Sequence, residues 1–114
     1  MAVTLDDVSS YVNRLEAFRA NSCFGKWTGE DIYSVYSYGE HFPMYVYDAS
    51  VDRWYGNTDK WSRTTSRHQS KCRPRETIHW YNTETMKDIA YGGIAYAVAE
   101  RMSDREVQRS PDRL

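Results

Sequence analysis

Between Asp31 and Asn57 three segments, DIYSVYSY (31–38), FPMYVYD (42–48) and RWYGN (53–57), repeat aromatic and β-branched residues at a period of two. Side chains of a strand alternate between faces, so this pattern suits a pleated ribbon and does not suit a helix. The gaps between them, Gly39-Glu40-His41 and Ala49-Ser50-Val51-Asp52, have hairpin length. An antiparallel meander is expected, with Pro43 at the start of its strand or on an edge because it cannot donate to a ladder. ETIHWY (76–81) reads as a further strand, with Ile78 and Trp80 on one face and Thr77, His79 and Tyr81 on the other. Ten tyrosines and four tryptophans against three leucines fit an aromatic, sheet-based core.

The period changes on either side of this region. Thr4 can cap a helix, Asp7 follows three residues on, and Leu5, Val8, Val12, Leu15 and Phe18 recur at three- and four-residue spacing. That helix is expected to end near Ala20, before the stop and loop residues Asn21, Ser22 and Gly25. Asn82 or Thr83 caps a second helix whose apolar side runs through Met86, Ile89, Ala90, Gly93, Ile94, Ala97 and Val98. The expected fold class is α+β: an N-terminal helix, an antiparallel β-meander of three to five strands, and a C-terminal helix, both helices packed on one sheet face. Residues 1–102 are read as a single domain and residues 103–114 as a flexible charged tail.

The formal net charge of -1 conceals a segregation. Lys60, Arg63, Arg67, Lys71, Arg73 and Arg75 lie within sixteen residues that hold no carboxylate, while the rest of the chain carries nine basic and sixteen acidic groups. Ser62, Thr64, Thr65, Ser66 and Ser70 add hydroxyl donors to the same segment. Planar guanidiniums with neutral donors suit phosphate or carboxylate, so Lys60, Arg63, Thr65, Arg67, His68, Lys71, Arg73 and Arg75 are the candidate anion-binding residues. Trp54, Trp61 and Trp80 are candidate stacking platforms for a base. Whether the segment is strand or loop is open at this stage, as is an ordinary role as a solvated, edge-protecting stretch.

Other chemistry finds less support. Pairing Ser66 or Ser70 with His68 would need a nucleophile motif such as Gly-x-Ser-x-Gly, which is absent, so no enzymatic activity is expected. Cys72, flanked by Lys71 and Arg73, is weighed as a thiol of lowered pKa and set aside as an ordinary side chain. The scattered Cys23, His41, Cys72 and His79 show no ligand spacing for zinc, and no phosphate loop or other cofactor motif is present, so neither metal nor cofactor is expected. With two isolated cysteines, no signal-peptide pattern and no apolar run near the ~20 residues of a membrane span, the expected location is a reducing cytoplasm. A tyrosine-rich exposed sheet face would suit a homodimer contact.

YSYGEHFPMYVYD (36–48), WYGNTDKWSRTTSRHQSKCRP (54–74) and IHWYNTETMKDIA (78–90) together resemble a group of small proteins encoded by bacteriophages and related mobile elements. In that group a tyrosine-rich hairpin precedes a Gly-Asn-x-Asp-Lys turn and a Thr-Thr-Ser-Arg-His-Gln-Ser run. The resemblance spans roughly residues 33–90 and implies a genomic setting, a bacterial host cytoplasm, with no catalytic residues attached. The expected function is therefore that of a non-enzymatic phage-type accessory protein binding nucleic acid or a nucleotide phosphate through residues 60–75. The alternative is an anti-defence inhibitor, of the anti-CRISPR kind, that binds a host defence protein.

Overall fold

In the computed structural model, which describes residues 3–60 and 63–92, the meander is the middle of a larger sheet. In chain order the elements are α1 (Val8–Asn13), β1 (Phe18–Arg19), β2 (Cys23–Trp27), β3 (Ile32–Ser37), β4 (Pro43–Asp48), β5 (Arg53–Asn57), α2 (Arg63–Cys72), β6 (Ile78–Tyr81) and a third helix, α3, described over 83–92. The six strands lie in sequence order. All neighbours are antiparallel except β5 and β6, which run parallel with Gly56 opposite Trp80. Parallel neighbours need a crossover, and α2 is that crossover. The α+β class stands; the layout differs from the expected one in four ways.

The N-terminal helix is one and a half turns long rather than continuous from Thr4 to Ala20. Leu15 adopts a left-handed backbone, φ 58°, its N–H bonds Val12 O and the Glu16 N–H bonds Tyr11 O. This pair of bonds is a Schellman stop, which glycine usually supplies. With leucine at the left-handed position the stop is invisible to a motif search, and Phe18 moves from the predicted helix into β1. Gly25, expected in a loop, sits mid-strand in β2. A Cβ there would lie 2.6 Å from the Phe18 ring and 2.7 Å from the Tyr33 hydroxyl, so only glycine lets the two strands cross beneath that ring.

The helices also occupy both faces of the sheet rather than one. Val8 and Val12 of α1 and Cys72 of α2 pack with Tyr33, Val35, Tyr45, Trp54 and Ile78 on the first face. Met86, Ile89 and Ala90 of α3 pack with Ile32, Val46 and Tyr55 on the second. The alternation is as expected, but Ile32, Val46 and Tyr55 form an apolar patch of their own that requires cover. Asn82 Oδ1 accepts the Thr85 N–H and so caps α3 as expected. Two strands, β1 and β2, extend the meander on its N-terminal side, and β6 makes the sheet mixed. The predicted helix positions from Gly93 to Val98 and the predicted tail lie outside the described residues.

Finally, most of the basic segment is helical. The inward positions of α2, Thr65, His68, Gln69 and Cys72, recur at three- and four-residue spacing, but three of the four are polar. A search for an apolar period passes over such a helix. Cys23 and Cys72 are buried free thiols in contact. Their mutual hydrogen bond and burial push the Cys72 thiol up, the opposite of a thiolate activated by Lys71 and Arg73.

Candidate functional site on the outward face of α2

The turn Gly56-Asn57-Thr58-Asp59-Lys60 and the run ending in Gln69 hold α2 in place through polar contacts. Gln69 Nε2 donates to the Asn57 and Asp59 carbonyls, both at 3.1 Å. Asn57, fully buried, donates from Nδ2 to Pro43 O at 2.9 Å and to Thr83 Oγ1 at 3.0 Å. Asp59 Oδ2 accepts from the Thr83 N–H and hydroxyl, and these bonds hold its carboxyl below the usual range. Tyr45 closes the network with a 2.6 Å bond to Gln69 O. Buried polar groups of this kind are costly unless all are paired, so the network fixes the register of α2 over the sheet. Much of the Gly-Asn-Thr-Asp-Lys turn and of the Thr-Thr-Ser-Arg-His-Gln-Ser run is therefore scaffold.

His68 belongs to the scaffold as well. It is 2% exposed, with Nε2 2.9 Å from Ser22 Oγ and Nδ1 2.7 Å from Ser37 Oγ. Neither Ser66 nor Ser70 is its partner. Burial first, and the charge of Arg67 second, hold its pKa below the ordinary 6.5. The unfolded chain therefore takes up a proton more readily, so this contribution to stability is complete above about pH 6.5 and declines as the pH falls below it. Chemical denaturation should show stability dropping from pH 7.5 to 5.5 by at most about 1.4 kcal/mol per unit from this residue. A His68→Gln variant, less stable at pH 7, should lose that part of the slope.

The outward side of α2 is different. Arg63 and Arg67 stand one turn apart, exposed, with exposed Ser70 on the next turn. The ion pairs among the described residues are Arg14–Glu16, Lys26–Glu40 and Lys71–Asp6; none of the described carboxylates lies within ion-pair distance of Arg63 or Arg67, although the charge of Arg67 reaches Asp6. Lys71 is held at 2.8 Å by Asp6. On one flank of the helix Lys60, Ser66, Ser70 and Arg73 border a groove of about 180 Å³ that ends at Trp80. Trp80 is 42% exposed, and its ring lies against Gly56, where a Cβ would come within 2.6 Å of it. Arg73 lies over the same ring at 5.3 Å.

The predicted site residues thus divide. Lys60, Arg73 and Trp80 border one groove, while Arg63 and Arg67 are exposed on the outward side of α2, Arg67 at the edge of a cleft on the helix's other flank. Thr65 and His68 are buried, and Trp54, 4% exposed, packs edge-on to Tyr33 and against Tyr47, so none of these three contacts a partner directly. Arg75 lies beyond the helix, its backbone N–H bonded to Asn13 of α1. Trp61 lies outside the described residues. Most tyrosines of β3, β4 and β5 are buried, so the tyrosine-rich face invoked for a homodimer is not open; among the described residues the exposed tyrosines are Tyr38, Tyr81 and Tyr91. Sequence reading missed Ser22 and Ser37, far from His68 in the chain, because nothing local marks a cross-element hydrogen bond.

Comparisons of the chain with protein-family models, with curated proteins and with solved structures find no match. Among the described residues no cluster of His, Cys, Asp and Glu could hold a metal ion, and no helix is long and apolar enough to cross a membrane.

Proposed function

We propose that this is a non-enzymatic accessory protein, of the phage type, that binds single-stranded nucleic acid along the outward face of α2. Phosphates lie across Arg63 and Arg67, Lys60 and Arg73 add charge, and one base stacks on Trp80. The observation that carries the reading is the pair of adjacent, outward guanidiniums with no carboxylate partner among the described residues, together with an exposed tryptophan seated on Gly56 at the end of the adjoining groove. Backbone charge supplies most of such affinity, and stacking is tolerant of base identity. A titration of a labelled 12-nucleotide strand followed by fluorescence anisotropy tests it. The logarithm of affinity should fall linearly with the logarithm of salt, by about 0.7 per phosphate neutralised. Absence of binding at low salt would remove the reading.

One observation favours the alternative, an anti-defence inhibitor docking on a host protein. A groove of about 550 Å³ on the second sheet face is bordered by exposed Tyr91 and by Tyr36, beside Lys26, Glu40 and Lys87, and tyrosine is among the residues enriched at protein interfaces. Recovery of a stoichiometric protein partner that Tyr91→Ala abolishes would support it.

A further inference from the structure

The opposite flank of α2 holds a second cleft, between that helix, the N-terminal segment and the β1–β2 turn, with a volume of about 520 Å³. This is within the roughly 300–1,000 Å³ of small-molecule sites. Val3, Leu5 and Ala20 make one wall apolar, and Asn21, Ser22, Thr64 and Arg67 make the other polar, with His68 at the base.

The direction of the hydrogen bonds at that base sets what the cleft offers. Ser37 is 1% exposed, and the hydrogen bond its hydroxyl makes is with His68 Nδ1. Were the ring to carry its proton on Nδ1 and donate to Ser37, the serine proton would be enclosed without an acceptor, a costly arrangement. Ser37 therefore donates to Nδ1, and the neutral ring carries its proton on Nε2. Nε2–H then donates to Ser22 Oγ, and the hydrogen of Ser22 itself is free to donate into the cleft. Three donors in series polarise one another, which strengthens the last. The same directions leave His68 unable to act as a base toward Ser22. Arg67 and Thr64 face the cleft from α2, and Asp6, the carboxylate that Arg67's charge reaches, is already bound by Lys71.

We propose that this cleft binds a phosphate monoester. Its oxygens accept from Ser22, Thr64 and Arg67, and the organic group lies along Val3, Leu5 and Ala20. The site shares Arg67 with the strand surface but stands on a separate observation, the donor chain from Ser37. Two sources carry the same chemistry: a free nucleoside monophosphate and the phosphorylated end of a strand.

Calorimetric titration with a nucleoside monophosphate, the parent nucleoside and inorganic phosphate provides the test. Monophosphate and phosphate should bind and the nucleoside should not. Ser22→Ala and Arg67→Ala should each weaken monophosphate binding about tenfold or more, Ser22→Thr should retain most of it, and Arg63→Ala, outside the cleft, should stay within about twofold. Thermal melts of each variant check the fold, and Arg67, being exposed, keeps the test valid if Ser22→Ala melts early. A 12-nucleotide strand with a 5′-phosphate that binds more tightly than its 5′-hydroxyl twin, by a margin that Ser22→Ala removes, assigns the site to strand ends. Equal binding of the twins alongside monophosphate binding assigns it to the free ester. Monophosphate binding no tighter than nucleoside, or unchanged by both Ser22→Ala and Arg67→Ala, overturns the proposal, and neither result bears on strand binding through Arg63.

Discussion

Changing Arg63 and Arg67 together to alanine should lower affinity for a short single strand about 100-fold at low salt while leaving the fold intact. Each guanidinium makes charge-assisted hydrogen bonds to phosphate worth about 1.5–3 kcal/mol. The lower figure for both gives about 3 kcal/mol, which is the 100-fold loss. The salt dependence should become shallower by about 1.4, or 0.7 per phosphate released. Both side chains are exposed and without carboxylate partners among the described residues, so their loss should change stability by no more than about 0.5 kcal/mol. Lys71→Ala is the contrast. Its ammonium is engaged by Asp6, so its removal should cost less binding than either arginine. Equal losses for Lys71→Ala and Arg63→Ala would mean that diffuse positive charge, and not the arginine pair, attracts the strand.

Gly56→Ala should be among the most destabilising of conservative substitutions in this chain. The added methyl group would meet the Trp80 ring at 2.6 Å and Ile78 at 2.7 Å, on the strand paired in parallel with β5. One of the two must move, and overpacking of this kind costs typically about 1–3 kcal/mol. For a chain of this size the melting temperature should drop by roughly 10 °C. Because the methyl group lifts the Trp80 ring off the sheet, tryptophan emission should shift and single-strand affinity should fall as well. Gly29→Ala is the control: its Cβ would find only Ile32 atoms at 3.8 and 3.9 Å, an ordinary contact, and the melt should stay close to that of the unchanged chain. A Gly56→Ala protein as stable as Gly29→Ala would contradict the tight seat described for Trp80.

The central hairpins were legible because alternation along β3, β4 and β5 is a local signal, and the residues that break it, Pro43 among them, fall at strand ends. Helix α2 was not. Its inward face is Thr65, His68, Gln69 and Cys72, and what makes these residues core is a set of hydrogen bonds to Ser22, Ser37, Asn57 and Asp59 supplied by distant strands and turns. Charge counting marked the segment without showing which of its side chains face inward. Arg63, Arg67 and Arg73 face outward as an anion site requires, whereas Thr65 and His68 were included for their chemistry and face inward. The stop at Leu15 escaped for a related reason, since tertiary contact rather than residue type decides that a leucine takes a left-handed backbone. The opposite placement of α3 follows from the second apolar patch at Ile32, Val46 and Tyr55, which α3 covers.

Amide hydrogen exchange with and without a 12-nucleotide single strand tests most directly whether the outward face of α2 is where the ligand sits. Exchange should slow over residues 63–72 and 78–81 and stay unchanged over residues 87–91 on the second sheet face. Protection of that second face, with α2 exchanging as in the free protein, would contradict the account.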